Sequence, residues 1–69
     1  MEYQQQIQLI ASKIKAFRLE RNLSIQDLAY LCDMERSSLS RIESGRVNIT
    51  VKTLCIICSA LNIEVKDLL

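Results

Sequence analysis

Arginine and serine side chains recur through the stretch "MERSSLSRIESGR", residues 34–46, which also holds the one glycine of the chain. When residues are placed every ~100° around an α-helix, five of the polar side chains in this stretch fall within an arc of roughly 140°. Leu39 and Ile42 lie on the opposite side and form an apolar underside. The polar set consists of Arg36, Ser37, Ser40, Arg41 and Ser44. Such a face can bind phosphates, although many polar helix faces only carry solvated charges.

Positive charge is concentrated around this stretch, whereas the whole chain has a formal charge of only +1. Residues 36–52 hold four basic side chains against one acid, a local excess of three. The basic residues are Arg36, Arg41, Arg46 and Lys52, and the acid is Glu43. This local excess is suited to an anionic partner, while the total charge neither requires nor excludes one.

The spacing Cys55-x-x-Cys58 is a second pattern that could carry chemistry, either redox or metal binding. A thioredoxin-like site needs the pair at a helix start after a strand, and no strand is predicted. A closed zinc site needs about four ligands, but the chain offers three cysteines and no histidine. We therefore interpret Cys32, Cys55 and Cys58 as small apolar fillers and expect no metal or other cofactor.

The composition argues against an enzyme and against a membrane protein. The chain has no histidine, no glycine-rich phosphate loop and no paired acid and base. No apolar run reaches the ~18 residues that span a bilayer, and the start "MEYQQQ" lacks the pattern of a secretory signal. We expect a non-enzymatic, cytoplasmic protein with reduced cysteines and no membrane partner.

Residues 1–69 are predicted to form a single all-α domain, because the chain is 49% hydrophobic and contains no proline. Apolar periodicity divides it into five short helices. Their predicted ranges are 4–21, 24–33, 35–44, 50–62 and 64–69. Ser24, with Asp27 three residues later, and Thr50 are predicted N-caps. Left-handed backbone is expected where three of the helices end, at Asn22, Asp33 and Gly45.

The buried side of each helix follows from the same spacing. The first helix presents Ile7, Ile10, Ile14 and Phe17. The second is expected to bury Leu28, Ala29, Leu31 and Cys32, and the fourth Leu54, Ile57, Cys58 and Leu61.

Apolar residues of the run "LCIIC" continue around the fourth helix beyond that buried stripe. Scattered exposed hydrophobic residues are normal, but a helix that is apolar on most sides is usually buried on most sides. Because the chain is so short, we expect this additional apolar surface to be buried against a second copy of the protein. The predicted dimer interface comprises Cys55, Ile56, Ile63, Val65 and Leu69.

The motifs "S-x-x-D-L-A", "S-x-L-S-R-I-E-S-G" and "A-L-N-I" resemble those of the Cro/XRE-type helix-turn-helix family of phage repressors and bacterial regulators. The similarity covers about residues 13–69. It implies a compact lambda-repressor-like fold in which residues 24–44 form the helix-turn-helix and the third helix enters the DNA major groove. The loop "RVNIT" looks more like that of restriction–modification controller proteins than that of the shortest phage repressors.

Carried over by position, this resemblance assigns roles to individual side chains. It implies base contacts by Arg36, Ser37 and Arg41, because arginine can bind guanine through two hydrogen bonds. It implies phosphate contacts by Ser24, Gln26, Ser40, Ser44, Arg46, Asn48 and Lys52. It also implies a partly buried structural ion pair between Arg18 and Glu43.

Together these observations predict a transcriptional regulator that binds a palindromic double-stranded DNA operator as a homodimer. Two alternatives stay open. One is an antitoxin-type regulator that also binds a toxin, and the other is a protein-interaction module that uses the same scaffold without DNA. RNA polymerase is a further candidate partner.

Overall fold

The structure is a computed structural model that describes residues 2–69 and contains four α-helices followed by a 3-10 turn. The elements are α1 (Tyr3–Glu20), α2 (Ile25–Leu31), α3 (Arg36–Glu43), α4 (Val51–Leu61) and the turn Val65–Leu68. No β-strand occurs within this described range. The all-α prediction is confirmed, but the prediction of a fifth helix over residues 64–69 is wrong. Asp67 caps the start of the last segment, where its carboxylate accepts a 2.9 Å hydrogen bond from the Glu64 amide, and the segment continues only as a short 3-10 turn.

Helix α2 begins at a reciprocal capping box. The Ser24 hydroxyl oxygen accepts a 3.0 Å hydrogen bond from the Asp27 amide, and the Asp27 carboxylate accepts a 2.9 Å bond from the Ser24 amide. The backbone and side-chain hydrogen bonds of Ser24 both lower the pKa of Asp27. This cap is therefore intact at neutral pH and weakens as the pH falls through the lowered pKa. Helix α4 begins in a similar way, because Thr50 accepts a 3.1 Å bond from the Thr53 amide.

Left-handed residues end the helices where the sequence predicts them. Asn22, Asp33 and Gly45 have φ angles of 56°, 55° and 75°. Asn62, with φ 59°, ends α4 in the same conformation and was not predicted. Asparagine and aspartate adopt this conformation at lower cost than most residues.

A single hydrophobic core joins the four helices and the 3-10 turn. Helix α2 packs against α3 and α4, and α1 packs against α3, α4 and the turn. The side chains at its centre are Ile14, Leu28, Leu39, Ile57, Leu61 and Leu68. The helix-turn-helix formed by α2 and α3 is therefore supported from behind by α1 and α4.

Leu31, which was predicted to be buried, and Cys55, which was interpreted as an apolar filler, are both exposed. Leu31 lies at the end of α2 with 54% of its surface exposed, while Leu28, Ala29 and Cys32 face the core. Cys55 is exposed on α4, so its interpretation as an apolar filler is wrong. Both residues lie outside the arc of their helix that faces the core.

Gly45 is expected to be sensitive to replacement by alanine. A Cβ atom there would lie 3.2 Å from Gln8 Cγ and 3.3 Å from Gln8 Cα, and the φ angle is +75°. We expect Gly45→Ala to lower the free energy of unfolding by about 1–2 kcal/mol, measured by urea denaturation. Asn62→Gly is the matched control, because it should leave stability unchanged or raise it. A Gly45→Ala protein as stable as wild type would contradict this packing argument.

Candidate nucleic-acid interface

Helix α3 has an apolar side and a polar side. Leu39 is fully buried and Ile42 is 8% exposed, so both side chains anchor the helix in the core. The five polar residues before and between them are all exposed: Arg36, Ser37, Ser38, Ser40 and Arg41. The exposed surface of α3 therefore carries two guanidinium and three hydroxyl groups, which can donate hydrogen bonds to base edges or phosphates.

A buried ion pair fixes α3 against α1. Arg18 Nε lies 2.8 Å from Glu43 Oε2, and Arg18 Nη2 lies 3.0 Å from Glu43 Oε1. The two side chains are only 7% and 5% exposed. Arg18 Nη1 also donates a 2.7 Å hydrogen bond to the carbonyl of Leu23, so one side chain connects α1, α3 and the loop before α2. This arrangement sets the position of α3 relative to the rest of the domain.

The same ion pair changes the electrostatics of the outer surface. Glu43 is the one acid in residues 36–52, and its carboxylate is turned inward to Arg18. Among residues 2–69, no carboxylate forms an ion pair with Arg36, Arg41, Arg46 or Lys52. Four cationic groups are therefore left free for an external anion.

Two clefts bring several of the predicted DNA-contacting residues together. A cleft of about 390 Å³ at the end of α3 is lined by Ser40, Arg41, Ser44 and Arg46. A second, of about 370 Å³, places Arg46 and Asn48 beside the first two turns of α1. Gln4 and Gln8 line this second cleft, and the sequence did not single them out. Ser38 was also missed, since it lies outside the arc assigned to the polar face.

The predicted phosphate-contacting hydroxyls differ in what they can donate. Ser44 Oγ already donates a 2.6 Å hydrogen bond to the Arg41 carbonyl, so its proton is occupied. Ser24 Oγ accepts from the Asp27 amide and keeps its own proton free. Because a phosphate oxygen can only accept, Ser24 is the better placed of the two. Gln26 lies beside it in a cleft with Tyr30, and Lys52 is exposed in the first turn of α4.

An apolar surface lies apart from α3. Leu31, Cys55, Ile56 and Ala60 line one cleft of about 500 Å³ between α2 and α4. Of the other residues assigned to the dimer interface, Leu69 is exposed. Ile63 and Val65 are half-buried against the core of their own chain. Leu31 also lines this surface, but it was not among the residues predicted for the dimer interface.

The three free cysteines lie in different environments, with Cys32 and Cys58 buried and Cys55 exposed. Within residues 2–69, no three histidine, cysteine or acidic side chains are grouped so that they could bind a metal. Burial raises the pKa of the Cys32 and Cys58 thiols, and for Cys58 the nearby Cys55 and Asp67 add to this effect. In the same described range, no helix has both the length and the apolar character needed to cross a membrane.

Comparisons with known proteins agree with this geometry. The model of the helix-turn-helix family matches residues 14–68. The chain is 37% identical over 62 residues to the control protein C.BamHI of Bacillus amyloliquefaciens, which covers 88% of this chain and 76% of the relative. It is 32% identical over 62 residues to the control protein C.SmaI of Serratia marcescens, covering 90% and 74%.

A solved structure shows the same fold. The restriction-modification controller protein C.AhdI of Aeromonas hydrophila superposes with a TM-score of 0.87 at 25% identity, over 91% of this chain and 96% of that one. The similarity to controller proteins predicted from the loop "RVNIT" is confirmed by these relatives. The chain therefore belongs to the helix-turn-helix family of DNA-binding transcriptional regulators, in its Cro/XRE-type branch.

Proposed function

We propose that this protein binds a two-fold symmetric DNA operator as a homodimer and regulates transcription from it. The observation that carries the proposal is the outward face of α3. Arg36 and Arg41 are exposed and free of internal carboxylates, while Glu43 is turned inward to Arg18. A helix with this distribution presents positive charge and hydrogen-bond donors to the major groove and no opposing acid from its own stretch.

In the proposal, α3 reads the base sequence. Arg36 and Arg41 each donate two hydrogen bonds to O6 and N7 of a guanine, and Ser37 bonds to a neighbouring base edge. The small serines allow the helix backbone to approach the groove floor closely.

Phosphate contacts fix the position of α3 without reading sequence. Arg46 and Asn48, which follow α3, and Lys52 at the start of α4 are proposed for this role. Ser24 and Gln26 are proposed to contact phosphate at the start of α2. Ser40 and Ser44 complete the set, although Ser44 must release its bond to the Arg41 carbonyl before it can donate.

Lys52→Ala tests the phosphate contacts. We expect weaker binding to specific and random duplexes alike, with the slope of log K against log salt reduced by about one. Fluorescence anisotropy titrations at several salt concentrations measure both quantities. Lys15→Ala is the matched control, because it removes the same charge from an exposed position on α1 and should leave the slope unchanged. Equal slopes for Lys52→Ala and wild type would contradict the assignment.

The homodimer is proposed to form through the surface lined by Leu31, Cys55, Ile56 and Ala60. It combines apolar side chains from α2 and α4 in one cleft, which a second copy could fill. Two-fold symmetry would then place the two α3 helices in successive major grooves about 34 Å apart, which requires a palindromic or near-palindromic site.

Ile56→Glu is expected to produce monomers at micromolar concentration, because the change places a charge in the apolar interface. Sedimentation velocity would show the lower mass. Tyr3→Glu, at an exposed position on α1, is the control that should leave the mass unchanged. An unaltered sedimentation coefficient for Ile56→Glu would rule out this surface as the interface.

The names of the relatives suggest which genes are regulated. C.BamHI and C.SmaI are control proteins, and C.AhdI is a restriction-modification controller protein. We propose that this chain has the same role and controls genes of a restriction–modification system near its own.

A further inference from the structure

The first two turns of α1 form one wall of a polar cleft, and the loop after α3 forms the other. Gln4 and Gln8 line this cleft of about 370 Å³ from α1, while Arg46 and Asn48 line it from the loop. All four side chains are exposed, and their amide and guanidinium groups can donate hydrogen bonds to a ligand between the walls. The proposed function gives roles to Arg46 and Asn48 but none to the two glutamines opposite them.

Gly45 allows the two walls to come close together. A Cβ atom at this position would lie only 3.2 Å from Gln8 Cγ and 3.3 Å from Gln8 Cα. The stem of the Gln8 side chain is therefore packed on the loop. This packing leaves fewer conformations for the terminal amide, so less entropy is lost when the amide binds a ligand.

The cleft is continuous with the end of α3. Arg46 lines it and also lines the cleft of about 390 Å³ whose other polar residues are Ser40, Arg41 and Ser44. None of the described residues that line either cleft is acidic. Glu2, the acid nearest to Gln4 in the chain, precedes α1 and is not among the residues that line the cleft. A DNA strand that crosses Arg46 from the end of α3 therefore meets the α1 wall next.

We propose that this cleft holds a phosphate of the DNA backbone, and that Gln4 and Gln8 bind it from α1. The inference rests on the proposed function and extends the DNA contact surface to a further helix. Arg46 supplies the positive charge, and the two glutamine amides donate neutral hydrogen bonds to phosphate oxygens. Arg46 is the one cation among the described residues of the cleft, which matches the single negative charge of a phosphodiester. A phosphate monoester carries about −1.5 to −2 instead.

Gln8→Met tests the hydrogen bond from α1. Methionine keeps an unbranched stem against Gly45 and removes the amide. We expect the affinity for operator and random duplexes alike to fall about 2–10-fold for each cleft that contacts DNA, the effect of about one neutral hydrogen bond. The slope of log K against log salt should not change, because no charge is lost. Fluorescence anisotropy titrations measure both, and wild-type affinity in a folded Gln8→Met protein would overturn the proposal.

Gln4→Lys tests the position of the phosphate. The added charge should tighten binding and steepen the salt slope by about one for each cleft that contacts DNA. Gln5→Lys is the matched control, because Gln5 is the next residue, is also exposed, and lies about 100° around the helix and outside the cleft. Its slope should equal that of the wild type. The same slope in both lysine variants would contradict a phosphate at Gln4.

Inorganic phosphate distinguishes a backbone phosphate from a free anion. At matched ionic strength it should lower the DNA affinity of the wild type no more than chloride does. Competition by phosphate that Gln8→Met abolishes would assign the cleft to a free anion and overturn the proposal.

Failure of this inference can be told apart from failure of the proposed function. Suppose that the wild type binds DNA and Lys52→Ala reduces its salt slope, while the Gln4 and Gln8 variants behave as the wild type. In that case only the α1 contact is wrong. A wild type that binds no duplex would overturn both. Both glutamines are exposed, so their variants should fold, and circular dichroism melting checks that they do.

Discussion

The double variant Arg36→Ala/Arg41→Ala is expected to keep its fold and lose its preference for operator DNA. Each arginine that binds a guanine through two hydrogen bonds contributes about 1–3 kcal/mol of discrimination per half-site. Both side chains are exposed, so their removal should leave the core and the melting temperature nearly unchanged. Competition titrations with operator and random duplexes measure the specificity ratio, which should approach one.

A variant with the same charge change separates base reading from general electrostatics. Lys15→Ala/Lys66→Ala also removes two positive charges from exposed positions, but from α1 and the 3-10 turn. It should retain the wild-type specificity ratio. If the arginine double variant bound every duplex as the wild type does, the proposed role of α3 would be refuted.

Glu43→Ala is expected to have the largest effect on stability. Arg18 is only 6% exposed, and the substitution removes the carboxylate that binds its guanidinium through two hydrogen bonds. The guanidinium then keeps a single hydrogen bond, to the Leu23 carbonyl. Removing one partner of a buried ion pair typically costs about 3–5 kcal/mol. Urea denaturation should show this decrease in the free energy of unfolding, and DNA affinity should fall with it because α3 loses its anchor to α1.

The double variant Arg18→Met/Glu43→Leu distinguishes two causes of lost stability, an unpaired buried charge and lost packing. Apolar side chains of similar volume remove both charges together, so this variant should be much more stable than Glu43→Ala. A loss below about 1 kcal/mol in Glu43→Ala would show that the pair contributes only as a surface ion pair does.

Helices α1 to α4 could be predicted from the sequence to within two residues at each end, because local signals define their limits. Ser24 and Thr50 are side-chain caps, and Asn22, Asp33 and Gly45 adopt the left-handed backbone expected of them. The polar face of α3 could be predicted as well, since its apolar spacing alone decides which side is buried.

The elements that were mispredicted are the short ones. Helix α2 has seven residues, fewer than two full turns, so its spacing could not show that Leu31 lies outside the buried arc. The final segment is too short for the spacing of its apolar residues to distinguish an α-helix from a 3-10 turn. The cleft around Leu31 and Ile56 depends on how α2 packs against α4, which one sequence does not reveal.

Selection of bound duplexes from a random pool tests the central claim most directly. The expected result is one enriched site with two half-sites related by dyad symmetry, each containing guanine, with centres about 10 base pairs apart. The same selection with Arg41→Ala should lose the guanine preference at one position of each half-site. Recovery of duplexes with no common sequence, by a protein that is folded and bound to DNA, would contradict a recognition role for α3.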